Sequence, residues 1–182
     1  CDPTLLFDGN DWMIIQEKVP IIDGEYIFVY LLGDNPLHRE FVTRLKKETG
    51  LKVVSLPHID EYVEEDEVCS DIKLYDIDPG QFLNLIRNAK YVCTDSFHCT
   101  AFSIQYEKTF FTFRRFSNKN KQSTNSRLVT LFNMTGIKDR LIVGNENIKE
   151  ILTIKTDYSI VRERLKQKIE ESYKFLTAAL NN

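Results

Sequence analysis

Short apolar runs separated by amphipathic stretches constrain the fold of this chain more than any other feature. The run Tyr26-Ile27-Phe28-Val29-Tyr30-Leu31-Leu32 carries no charge and no polar face. A strand built from it must be covered on both sides, as in a parallel sheet flanked by helices. Gly33-Asp34-Asn35-Pro36 then turns the chain and starts a helix that reaches Thr49, with Gly50 as its stop. Residues 51–56 predict a second strand and 72–75 a third. Asp78 and Pro79 supply an N-cap and a first helical residue for 81–88, where Phe82, Leu85 and Ile86 share one face. Tyr91–Thr94 and Thr109–Phe113 predict the fourth and fifth strands, with a short helix over 101–106 between them. Val161, Leu165, Ile169, Tyr173, Leu176 and Leu180 recur at helical spacing, which predicts a long terminal helix over 158–180 packing one stripe.

Strands alternating with helices place the chain in the α/β class, as a Rossmann-like, doubly wound, mostly parallel five-stranded sheet. Its 182 residues suit one domain spanning 1–182. No repeat or linker interrupts it. In such sheets ligands collect beyond the carboxyl ends of the strands. Three loops are therefore expected around a site: Gly33-Asp34-Asn35, Asp95-Ser96-Phe97-His98, and the segment from Arg114 onward.

Charge narrows the function. A net charge of −3 does not suit a general nucleic-acid binder. No apolar run approaches the ~20 residues that cross a bilayer, and the opening Cys1-Asp2-Pro3 has no signal-peptide pattern. Without an initiator Met, the residues are expected to be a segment of a longer protein. Cys1, Cys69, Cys93 and Cys99 form no C-x-x-C pair, and His38, His58 and His98 do not stand at ligand spacing from them. No metal site is expected. Cys93, inside an apolar strand, is expected to act as a small hydrophobe in a reducing compartment.

Two segments are electrically lopsided. From Lys108 to Arg127 there are six cations (Lys108, Arg114, Arg115, Lys119, Lys121, Arg127) and no acid. Within this stretch Ser123-Thr124-Asn125-Ser126-Arg127 supplies hydroxyl and amide groups where a helix should begin. A helix N-terminus beside arginines can hold a phosphate or carboxylate. The alternative is an ordinary capped, solvated loop. The segment 60–78 holds nine acids against the single Lys73, and its Glu64-Glu65-Asp66-Glu67 core is expected to be solvated surface.

Asp95-Ser96-Phe97-His98 closes a buried strand with polar residues and leads into a helix. A histidine there can move a proton near neutral pH, although capping residues give the same pattern. Asp95 could orient that histidine or hold a sugar hydroxyl. His38, inside an amphipathic helix, and His58, after Pro57, carry less functional signal.

In these blocks the sequence resembles the polysaccharide pyruvyl transferase family. The resemblance runs through Asp2-Pro3-Thr4-Leu5-Leu6 with Trp12, Tyr26-Ile27-Phe28, Leu32-Gly33-Asp34-Asn35, Leu56-Pro57-His58, and Asp78-Pro79 with Phe82-Leu83 and Ile86. Its strongest block is Ala89-Lys90-Tyr91-Val92-Cys93-Thr94-Asp95-Ser96-Phe97-His98, followed by Phe110-Phe111 and Ser123-Thr124-Asn125-Ser126-Arg127-Leu128. The resemblance implies transfer of a pyruvyl group from phosphoenolpyruvate to a sugar of a cell-surface polysaccharide, forming a cyclic ketal. It implies the C-terminal half of a two-domain GT-B-like enzyme, with an N-terminal domain as the other wall of the cleft and the segment alone inactive. Family members commonly carry Gly after the histidine, where this chain has Cys99; a side chain there is expected to narrow the approach to a ligand.

Phosphoenolpyruvate, bearing a phosphate and a carboxylate, calls for cations and N–H donors, and ketal formation for acid–base groups without any cofactor. The expected assignment makes His98 catalytic, with Arg114, Arg115 and Arg127 on the donor. Asp95, Ser96, Ser123, Asn125, Ser126, Gly33, Asp34 and Asn35 complete the substrate-binding set. The expected partners are phosphoenolpyruvate and a glycan or sugar-lipid acceptor, met in the cytoplasm near the inner face of the membrane. Two other readings stay open on residues alone. One is a GT-B glycosyltransferase or sugar-nucleotide epimerase that uses the basic loop for a nucleotide diphosphate. The other is a non-catalytic domain of a polysaccharide-assembly complex.

Overall fold

The structure, a computed structural model, describes residues 1–59, 63–115 and 125–181. Six strands form one parallel sheet: β1 (Tyr26–Tyr30), β2 (Lys52–Ser55), β3 (Ile72–Lys73), β4 (Tyr91–Thr94), β5 (Thr109–Phe113) and β6 (Leu141–Ile142), in the order β3-β2-β1-β4-β5-β6. All five pairings are parallel. The sequence predicted five strands. The sixth has two residues, docked on β5 through the pairs Thr112↔Leu141 and Phe113↔Ile142, and is too short to leave a periodic signal.

Among the described residues seven α-helices cover the sheet: α1 (Pro36–Thr49), α2 (Glu64–Cys69), α3 (Pro79–Asn88), α4 (Phe97–Gln105), α5 (Asn125–Thr135), α6 (Ile148–Thr153) and α7 (Tyr158–Leu180). Local chemistry sets their ends. Asn35 caps α1 by accepting the Leu37 N–H at 3.1 Å, Pro36 supplies the first turn, and Gly50 ends it at φ 70°. Asp78 and Gln81 form a reciprocal capping box at α3.

Successive strand residues point to opposite faces of the sheet, and two cores result. Tyr26, Phe28, Val92 and Phe110 join Leu85, Ile86, Leu131 and Val161 on one side. Ile27, Val29, Cys93 and Phe111 join Phe41, Leu45, Ile148 and Ile151 on the other. Cys93 is fully buried, as a small hydrophobe would be.

α7 departs from the sequence expectation along its outer half. Val161 and Leu165 are buried and Ile169 packs at the edge of the core, while Tyr173, Leu176 and Leu180 of the same stripe are exposed. The stripe outruns the sheet it packs on.

The strand order reverses direction between β1 and β4, so their outgoing loops diverge and leave a crevice beyond the carboxyl ends. That crevice is where the loops after β1, β2, β3 and β4 meet, with Arg115 reaching it from the end of β5.

Candidate active site

The β1–α1 and β4–α4 loops are tied together by one buried carboxylate. Asp95 Oδ1 accepts the Leu32 N–H at 2.7 Å and Oδ2 accepts the Gly33 N–H at 2.9 Å. Arg115 reinforces the tie, with Nε 3.5 Å from Asp95 Oδ2 and an NH2 donating to the Asp95 carbonyl at 3.4 Å. The Asp95 side chain has 0% exposure. Each oxygen accepts one main-chain N–H, so the carboxylate ties the two loops together at the floor of the smaller cavity. Space at Gly33 is tight: a Cβ there would lie 3.0 Å from Arg115 Cγ and 3.1 Å from Asp95 Oδ2.

Ser96 caps α4, its Oγ accepting the Cys99 N–H at 3.4 Å. The helix starts at Phe97, earlier than the 101–106 expected, and this puts His98 in its first turn. His98 is exposed, its imidazole without a hydrogen bond to the described residues. The next residue turns the other way. Cys99 is fully buried in the core, and burial pushes its thiol up to about 12. Cys99 therefore does not narrow the approach to a ligand, because the third helical position faces inward here.

Two cavities open on this turn. The smaller, about 200 Å³, is lined by Leu32, Asp95, Ser96, Phe97, His98, Arg115, Arg127 and Leu128. Arg127 reaches it from the first turn of α5 and lies over the Phe97 ring at 4.2 Å. Its NH2 is 3.4 Å from Asp2 Oδ2. Burial raises the affinity of Asp2 for a proton, but bonds from the Thr4 hydroxyl and N–H, with His98 and Arg127 nearby, lower it below the usual carboxylate value.

The larger cavity, about 770 Å³, runs along the ends of β1, β2 and β3. Tyr30, Tyr75 and Phe82 supply aromatic wall, Leu56, Ile77 and Pro79 apolar wall, and Asp78, His58, Ser96 and His98 polar groups. Ser96 and His98 line both cavities.

Other expected site residues are placed as follows. Asp34 is exposed, and Asn35 is occupied as the α1 cap. Arg114 is exposed at the end of β5 and does not line either cavity. Ser126 is exposed, and its carbonyl accepts the Thr130 hydroxyl at 2.8 Å. Asn125 begins α5. Ser123, Thr124, Lys119 and Lys121 lie outside the described residues. Lys108 belongs elsewhere: it precedes β5, and its ammonium donates to the Arg87 carbonyl at 2.7 Å at the opposite end of the sheet.

The acidic segment holds a surprise. Asp66 was expected in solvated surface but is buried, 2.7 Å from Arg39 NH2 and 2.8 Å from His58 Nδ1. Val63, Asp66 and Cys69 recur every third residue and form the inward face of α2. That spacing was the available signal. Among the described residues no group of three or more His, Cys, Asp or Glu side chains is placed to hold a metal ion.

A family model described as polysaccharide pyruvyl transferase matches residues 1–118. The chain belongs to the polysaccharide pyruvyl transferase family. This matched stretch carries the crevice loops, His58, Asp95, Ser96, His98 and Arg115, and it ends before Arg127 and the rest of the 123–128 block. No curated protein and no solved structure matches the chain. Family membership makes the chain part of a transferase family with a pyruvyl transfer role on polysaccharide.

Proposed function

We propose that this pyruvyl transferase takes its pyruvyl group from phosphoenolpyruvate and closes it as a cyclic ketal on two hydroxyls of a glycan or sugar-lipid. The carrying observation is that His98 lines two cavities of opposite character, one flanked by Arg115 and Arg127 and the other walled by Tyr30, Tyr75 and Phe82. The small cavity suits an anion of three carbons and a phosphate. Its arginines would hold phosphate and carboxylate, aided by N–H groups at the start of α4. The large cavity suits a sugar, whose C–H faces pack on aromatic rings while its hydroxyls meet the few polar groups.

Between them, His98 gives its proton to the methylene carbon of the enol phosphate as the first sugar hydroxyl adds to the neighbouring carbon. The second hydroxyl then displaces phosphate. One hydroxyl proton ends on the new methyl group and the other on inorganic phosphate, so no cofactor is consumed. A nucleotide-sugar enzyme would need room for a nucleoside diphosphate beside the arginines, and a cavity of about 200 Å³ does not favour it. Both cavities are open, and the outer half of α7 leaves its apolar stripe uncovered. These features support a second domain, in a GT-B-like arrangement, as the opposite wall. Phosphoenolpyruvate supply favours the cytoplasm, and among the described residues no helix is long and apolar enough to cross a membrane.

The test is His98→Ala in the complete enzyme, followed by phosphate release from phosphoenolpyruvate in the presence of acceptor. An exposed first-turn residue contributes little to the core, so the melting temperature should hold while turnover falls ~10²-fold or more. Wild-type turnover in the variant would overturn the assignment.

A further inference from the structure

The wall of the larger cavity contains a second histidine, held by a buried carboxylate at one ring nitrogen. His58 follows β2, and its side chain is 8% exposed. Its Nδ1 lies 2.8 Å from Asp66 Oδ2, and its main-chain N–H donates to the same oxygen at 3.3 Å. The other Asp66 oxygen is held by Arg39, with Nε donating at 2.9 Å and NH2 in ion-pair contact at 2.7 Å. Arg39 also donates from NH1 to the Gly33 carbonyl at 2.8 Å, which fixes the chain to the β1–α1 loop. Burial raises the affinity of Asp66 for a proton, but the His58 and Arg39 hydrogen bonds outweigh it and hold the carboxyl below its ordinary value. Asp66 is therefore an anion, and an anion at Nδ1 draws the neutral imidazole into its Nδ1–H form. The lone pair then sits on Nε2. That atom is buried and has no hydrogen-bond partner. A buried polar atom without a partner calls for an explanation, and His58 lines the larger cavity, so a ligand hydroxyl there supplies one.

We propose that His58 is a further catalytic residue of this site, the base that takes a proton from an acceptor hydroxyl, with Asp66 and Arg39 as its positioning residues. The inference rests on the pyruvyl-transfer reading given above and adds to it a division of labour between two histidines. In the addition step the first hydroxyl oxygen bonds to the substituted carbon of the enol phosphate and its proton passes to His58 Nε2. The π electrons take a proton from His98 at the methylene carbon, which becomes the methyl group. In the displacement step the second hydroxyl oxygen bonds to the same carbon and gives its proton to His98. The carbon–oxygen bond to phosphate breaks with its electron pair on phosphate, which takes up one proton, while His58 releases the proton it holds. Both histidines return to their starting forms. A general base oriented by a buried carboxylate is worth ~10²- to 10⁴-fold in rate.

The decisive variant is His58→Asn, whose amide can still donate to Asp66 but has no lone pair at the Nε2 position. In the complete enzyme, with phosphoenolpyruvate and a panel of methyl glycosides of galactose, glucose and mannose, phosphate release should fall ~10²-fold or more in kcat. Phosphoenolpyruvate affinity by titration calorimetry should stay within about twofold, because His58 lines only the larger cavity. Imidazole added to His58→Ala should restore part of the lost rate. Independently of turnover, long-range ¹H–¹⁵N spectra of the wild type should show neutral His58 protonated at Nδ1. A kcat within threefold of wild type in His58→Asn, or an Nε2-protonated neutral ring, overturns the proposal. A wild-type protein that does not bind phosphoenolpyruvate overturns the donor reading instead, and the spectra still judge the dyad.

Discussion

Replacing Asp95 with Asn separates a positioning role from a ligand role, because the two predict different losses. The carboxylate receives two main-chain N–H groups, from Leu32 at 2.7 Å and Gly33 at 2.9 Å, one on each oxygen. An asparagine can accept only one of them. Its NH2 must then face the other N–H, which leaves a buried donor unpaired at a cost of about 1–3 kcal/mol. Arg115 also loses its charge contact with Asp95. The arginine is 24% exposed and the contact is 3.5 Å, so that loss is screened to about 1 kcal/mol or less. The sum is about 3 kcal/mol. For a chain of this size it corresponds to a fall of roughly 6–12 °C in melting temperature. Urea unfolding of Asp95→Asn beside Asp34→Asn, an exposed neighbour on the same crevice, makes the comparison internal. Asp34→Asn should stay within ~0.5 kcal/mol of wild type. If Asp95→Asn is equally mild while turnover collapses, the carboxylate acts on substrate and the positional account is wrong.

Three further outcomes follow from the same geometry. Arg115→Ala and Arg127→Ala should each weaken phosphoenolpyruvate binding about tenfold or more by calorimetry, while Arg114→Ala, which lines neither cavity, stays within about twofold; equal effects at all three would replace the small cavity by a diffuse basic surface. Burial, with the neighbouring Arg39 charge, lowers the His38 pKa from 6.5 to about 4, so the native state binds fewer protons than the unfolded chain between those values. Stability is then complete above pH ~6.5 and declines by about 3 kcal/mol as pH falls towards 4; a urea midpoint that stays flat over that window in wild type, or that slopes equally in His38→Leu, refutes it. Residues 1–182 expressed alone should unfold cooperatively and bind phosphoenolpyruvate weakly but yield no ketal, since a cleft open on one side misaligns its reactants; ketal at ordinary enzyme rates would remove the need for a second wall.

The central strands were legible in the sequence because a parallel strand buried on both faces must be largely apolar, and β1, β4 and β5 carry no charged residue. The first turn of α1 and of α3 was legible because Asn35-Pro36 and Asp78-Pro79 are caps with a mechanism. Strand ends alone placed His98 and Ser96 near Arg127 and at least one of Arg114 and Arg115, without choosing between the last two; it is Arg115 that lines the cavity. The larger cavity was not legible in this way. Tyr30, Tyr75 and Phe82 come from β1, the β3–α3 loop and α3, and nothing along the chain announces that they share a wall. Asp66 was hidden for a different reason. It stands in a run of four acids, and composition alone assigns such a run to solvent, whereas pairing with Arg39 and His58 lets one member turn inward.

The first turn of α4 explains how one short motif serves both the core and the chemistry. A helix advances about 100° per residue, so neighbours in its first turn diverge. His98 faces the two cavities, while Cys99 and Thr100 face the core, Thr100 within 2.9 Å of the Thr112 hydroxyl on β5. The sheet therefore fixes the helix through Cys99 and Thr100, the loop below is fixed by Asp95, and His98 is held by its backbone with its ring left free. Freedom at the ring and rigidity beneath it are both needed by a group that must serve one ligand on each side. His58 has the opposite design, a ring fixed at Nδ1 by Asp66 with a buried, unpartnered Nε2 beside the larger cavity. In the proposed reaction an exposed acid stands between the cavities and a fixed base in the wall of one, so neither histidine has to cross the crevice.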